Sequence, residues 1–159
     1  MNTFQIFGLQ FLWSLLLYAL LAKWFVAPRL ARLPLPDALI PLFFLHAFRH
    51  VGMVFLVPAV VAPDLAPAFA RPAAYGDLLA AALTLAVIVA LRAHSPVAIP
   101  LAWIANIWGT LDLLYAFYEG ARRDVSPWLG SAWYIPTILV PALFVAHFMI
   151  FVMLLKRER

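Results

Sequence analysis

Five apolar stretches, each near the roughly 20 residues that a helix needs to cross a bilayer, fill most of this 159-residue chain. They cover approximately 4–24, 38–61, 74–91, 97–118 and 132–155. In hydrocarbon a backbone must satisfy its own hydrogen bonds, so a run this short of polar residues is restricted to the α-helix. The connections PRLARLPLPD, APDLAPAFARP, RAHSP and EGARRDVSPWLGS are short and rich in helix breakers. The expected fold is therefore all-α, a polytopic integral membrane bundle of five transmembrane helices forming one domain over 1–159.

The residue content supports this. Hydrophobic residues make up 67% of the chain and charged residues 11%, against about 45–50% and 25% in soluble domains. Cysteine is absent, which removes disulfides, thiolate metal ligands, iron–sulfur clusters and covalently attached c-type haem. The net charge of +4 resembles a nucleic-acid signal only until the basic residues are located. All but Arg49 lie at helix ends or in the connections, where they set topology, and no nucleic-acid partner is expected.

With five crossings, Lys23, Arg29, Arg32, Arg92, Lys156, Arg157 and Arg159 gather on one side, and Arg71, Arg122 and Arg123 on the other. The positive-inside rule then places the amino terminus outside and the carboxyl terminus in the cytoplasm of a bacterial inner membrane. The first run has no basic segment ahead of it and reads as a retained helix, not a cleaved signal.

The second run, LIPLFFLHAFRHVGMVFLVPAVV, carries His46, Arg49 and His50 near its centre. Polar and charged groups at that depth cost at least a few kcal/mol, so they face a protein interior and have a role. At ~1.5 Å per residue, His46 lies about 13 Å from the cytoplasmic end, Arg49 and His50 about 18 Å, Asp112 about 22 Å and His147 about 12 Å. Several helices thus bring polar groups to one layer. Residues four apart share a helical face, which pairs His46 with His50 and sets Arg49 beside them. On the fourth helix, Trp108, Asp112, Tyr115 and Glu119 form a stripe that climbs to the outer interface and outlines a polar cavity opening outward. A buried charge needs a partner, and Asp112 is the expected partner of Arg49. Asp77, near the outer start of the third run, reads as a helix cap. Asn106 and Thr110 lie on a face turned away from Asp112, toward a different neighbour.

The expected ligand-binding set is therefore His46, Arg49, His50, Asp112, Tyr115, Glu119 and His147. Several chemistries fit it. His46, His50 and His147 are candidate ligands for a divalent metal acting on a lipid-like substrate. A b-type haem would take His147 and one of His46 or His50 as axial ligands. Without a cofactor, the His, Arg and Asp layer would bind a small molecule or lipid-like ligand, Arg49 suiting an anionic group, or would pass protons. An auxiliary subunit or oligomer in a larger membrane complex fits the same residues. No Gly-rich phosphate loop, nucleophile elbow or zinc-protease helix occurs, so no reaction is specified.

Overall fold

The computed structural model describes residues 1–157, and within them the fold is all-helical with no strand. Arg159, counted above among the basic residues, lies outside the described residues. Helix α1 runs from Thr3 to Leu21 and continues through a π-turn (Ala22–Val26) into Ala27–Leu30. A capping box starts it: Gln5 N–H donates to Asn2 Oδ1 (2.8 Å), and Asn2 N–H donates to Gln5 Oε1 (3.0 Å). Helix α2 covers Leu35–Ala47 and tightens into a 3-10 helix over Phe48–Leu56. Helices α3 (Pro67–Arg92) and α4 (Ala98–Arg122) follow. Two 3-10 turns, Ser126–Trp128 and Gly130–Trp133, and a π-turn, Ile135–Leu139, lead into α5 (Val140–Arg157).

The helical segments Thr3–Leu30, Leu35–Leu56, Pro67–Arg92 and Gly130–Lys156 are long and apolar enough to cross a membrane. That makes four where the sequence predicts five. The remaining helix, α4, has the length, but Asn106, Trp108, Thr110 and Asp112 interrupt its apolar residues. Large apolar side chains such as Leu12, Trp13, Val89, Leu111 and Phe148 stand exposed on the outside of the bundle. An apolar exterior of this kind is consistent with a multi-pass membrane protein.

The third helix also differs from the predicted 74–91, because it begins at Pro67. Proline in the first turn forfeits no intrahelical bond, and Phe69, Ala70 and Ala73 are buried on this added stretch. As a result Asp77 sits well inside α3 and not at its end.

Two apolar clusters form the core. One gathers Leu39, Phe43, Val87, Leu91, Ala102 and Ile150; the other gathers Phe55, Leu65, Phe69, Val125 and Leu129. Along α2, α3 and α4 the buried polar residues fall between these clusters. At the end holding the second cluster, the two long loops are stitched together. Ala62 N–H donates to the Trp128 carbonyl (2.9 Å), and Ser131 N–H donates to the Val60 carbonyl (3.0 Å). Gly130 is needed at this crossing: its φ is +53°, and a Cβ there would collide with the Val60 carbonyl.

Candidate functional site

The 3-10 stretch of α2 decides which side chains enter the site. At three residues per turn, positions i and i+3 eclipse, so His46, Arg49, Gly52 and Phe55 form one buried row. His50 is turned away. It is exposed, with its Nδ1 2.9 Å from the Ala47 carbonyl oxygen, and the structure does not bring it into the site.

Arg49, only 1% exposed, is the centre of the arrangement. Its Nε donates to Asp77 Oδ1 at 2.7 Å, its Nη1 donates to the Gly109 carbonyl at 2.9 Å, and its Nη2 donates to Asp112 Oδ2. One side chain of α2 thereby ties together α3 and α4. The pairing with Asp112 is the one expected from sequence. Asp77 is the member of this cluster that sequence reasoning missed, because the early α3 start was hidden behind Arg71 and Pro72. Space for both carboxylates comes from glycines: a Cβ at Gly52 would collide with the Asp77 carboxylate, and one at Gly76 with that of Asp112.

His147 of α5 comes to the same layer. Its Nδ1 lies 2.7 Å from Asn106 Oδ1, and the Asn106 amide donates to the His147 carbonyl at 3.3 Å. The different neighbour sought for Asn106 is therefore α5. Thr110, a turn further on, donates to the Asn106 carbonyl at 2.7 Å. The His147 ring stacks on that of His46, with centroids 3.9 Å apart and planes at 35°. Both ring nitrogens of His46, and Nε2 of His147, are buried without a hydrogen-bond partner among the described residues.

Tyr115 and Glu119 stand apart from this cluster. Tyr115 is exposed, while Glu119 accepts hydrogen bonds from Arg122 (3.0 and 3.2 Å) and Arg123 (2.7 Å) at the end of α4. The polar stripe predicted along α4 is thus a bundle contact at Asp112 and a local ion-pair group at its tip.

The three-histidine metal site is not assembled, because His50 faces outward. Among the described residues, no group of three or more His, Asp or Glu is placed to hold an ion. A haem gripped between His46 and His147 also does not fit this geometry. Opposite axial ligands must stand on either side of a porphyrin, and these two rings are in direct contact.

A cavity of about 390 Å³ opens beside the cluster, on the side of the second core cluster. Its walls are apolar and rich in phenylalanine, including Phe4, Phe7, Phe11, Phe55, Phe69 and Phe117, and Asp77 is part of the wall. Tyr115 and Glu119 are not among the residues that line it.

These features define a class: a helical bundle whose buried Arg–Asp₂ knot borders an aromatic cavity. The chain belongs to the family described as "Domain of unknown function (DUF8737)", whose model matches residues 6–155. No curated protein and no solved structure matches it.

Two substitutions test this account of the layer. His50→Ala should leave thermal unfolding in detergent within about 0.5 kcal/mol of wild type, as for other exposed sites. Asn106→Leu removes the partner of a buried imidazole and should cost about 1–3 kcal/mol. Comparable losses from both would contradict the burial pattern.

Proposed function

We propose that this protein spans the bacterial inner membrane five times and binds a small amphiphilic molecule in the phenylalanine-lined cavity, with Asp77 as the polar contact. α4 crosses as the fifth helix, its polar residues shielded by α2, α3 and α5. Lys23, Arg29, Arg32, Arg92 and Lys156 mark the cytoplasmic end. Arg122 and Arg123 lie at the other end, with the cavity-lining residues Gly120 and Val125. The cavity thus opens toward the outside of the cell or the outer leaflet.

One observation carries this reading: Asp77, whose carboxylate pairs with a buried arginine, is among the described residues the one ionisable group lining a wall that is otherwise apolar but for Ser126. The cavity falls within the roughly 300–1,000 Å³ range of small-molecule sites, which combine apolar walls with a few placed polar groups. Its charge selects the ligand. One guanidinium faces two carboxylates, so the cluster carries an excess of negative charge and favours a hydrogen-bond donor or a cation at Asp77. Phenylalanine faces attract the same cation. A ligand with an apolar or aromatic body and an ammonium-type head satisfies both.

The test is calorimetric titration of purified protein with 4-phenylbutylammonium and with the matching uncharged alcohol. The ammonium should bind more tightly than the alcohol, and Asp77→Asn should weaken it by about tenfold or more, the effect of a lost hydrogen bond between charged groups. Ala73→Phe, which fills the cavity and leaves Asp77 in place, should weaken both probes. Equal affinity of wild type and Asp77→Asn for the ammonium would overturn the assignment.

A further inference from the structure

A second recess lies at the opposite end of the molecule, between α1 and α5. It measures about 760 Å³. On the α1 side Ala19, Ala22, Ala27 and Ala31 line it between Leu15 and Leu30; α5 walls it with larger side chains, among them Phe148 and Met149, and Leu35 and Ala38 of α2 close its basic end. The alanines of α1 set against the large side chains of α5 leave a trough that neither helix fills. α1 is also the least embedded span. Only 6% of its most apolar stretch is buried, against 39–44% for the other three apolar spans, so most of its surface meets no other part of the described chain.

The trough has a charge signature. Among the described residues, Lys23 and Lys156 are the only ionisable ones lining it, and both are exposed. Lys23 sits within the π-turn Ala22–Val26, where the extra residue in the turn displaces side chains from the regular α-helical face. Trp24, next to it, is exposed as an interfacial anchor. The trough therefore has an apolar body running toward mid-membrane and two ammonium groups at the basic end.

We infer that this trough is a binding site for an anionic phospholipid, whose phosphate group meets Lys23 and Lys156 and whose acyl chain lies between the alanines of α1 and the Phe148 and Met149 side of α5. A second copy of the chain is the poorer occupant, because a two-fold contact would set the same two lysines against their own counterparts. Surface lysines attract anionic headgroups, and each contributes roughly a fivefold preference. The inference rests on the membrane-spanning reading but not on the cavity beside Asp77.

The full chain is reconstituted in phosphatidylcholine vesicles containing, as a minor component, brominated phosphatidylglycerol or brominated phosphatidylcholine with the same acyl chains. Bromine quenches nearby tryptophan, so the measurement uses a background in which Trp13, Trp103, Trp108, Trp128 and Trp133 are replaced by Phe, leaving Trp24, next to the lining residue Lys23, as the reporter. Phosphatidylglycerol should quench at lower mole fraction than phosphatidylcholine. Lys23→Gln and Lys156→Gln should each reduce that preference roughly fivefold, and Lys→Arg at both positions should preserve it. Ala27→Phe, which fills the trough but keeps both charges, should also lower it, separating a built site from general attraction to the surface. Equal quenching by the two lipids, a preference that survives the double glutamine variant, or an Ala27→Cys disulfide dimer formed regardless of lipid would overturn the site. Each of these results would leave binding of 4-phenylbutylammonium at the other end unchanged, so the two proposals fail separately.

Discussion

Arg49→Met should abolish most of the folded stability of this protein. Removing one partner from a buried ion pair costs about 3–5 kcal/mol, because the remaining charge is left without compensation. Here one arginine serves two carboxylates, and side-chain exposure is 0% for Arg49 and 12% for each aspartate. The loss should therefore reach or exceed the upper end of that range. Equilibrium unfolding in mixed micelles measures it. The triple variant Arg49→Met, Asp77→Asn, Asp112→Asn should regain most of the loss, since neutral groups of similar volume often replace a buried ionic cluster at little cost. If Arg49→Met alone unfolds no more readily than wild type, the cluster is not the buried ion-pair knot described here. A stable triple variant that no longer binds the ammonium probe would separate the cluster's role in binding from its role in folding.

Gly109→Ala should also be strongly destabilising, although alanine normally strengthens a helix. A Cβ at Gly109 would lie 2.7 Å from His147 Cε1 and 3.0 Å from Arg49 Nη1. Neither neighbour is free to yield: the histidine is held by Asn106 and stacked on His46, and the arginine has three hydrogen bonds. Overpacking of this kind costs about 1–3 kcal/mol. Gly52→Ala should behave similarly and should also weaken the ammonium probe, because its Cβ displaces the Asp77 carboxylate. Gly8→Ala is the control. Nothing lies within 4 Å of its added Cβ, and its unfolding should match or exceed wild type in stability. A Gly109→Ala protein as stable as Gly8→Ala would mean that α4 and α5 do not approach as closely as described.

Much of the site was legible along the chain, but unevenly. Arg49 and Asp112 stood out because each is a charge within an apolar helix, and the cost of isolation pairs them. His147 and His46 were found by depth, which depends only on rise per residue. His50 was misplaced because the expected α-helical period puts residues four apart on one face, and nothing in FRHVGMVFL distinguishes three residues per turn from 3.6. Asp77 was missed because Arg71 and Pro72 suggested a connector where the structure has two further turns of helix. The cavity had no linear signature at all, since its phenylalanines come from α1, α2, α3 and α4.

The amino-acid sequence alone determined the all-helical character and the apolar exterior. These follow from local hydropathy and from backbone hydrogen bonding within one segment. Tertiary structure decided which buried groups meet: the 3-10 winding that turns Arg49 inward and His50 outward, the second carboxylate on α3, and the aromatic space beside it. Such features depend on the rotation and register of one helix against another, and those are set by close packing and by hydrogen bonds between residues 28 and 63 positions apart.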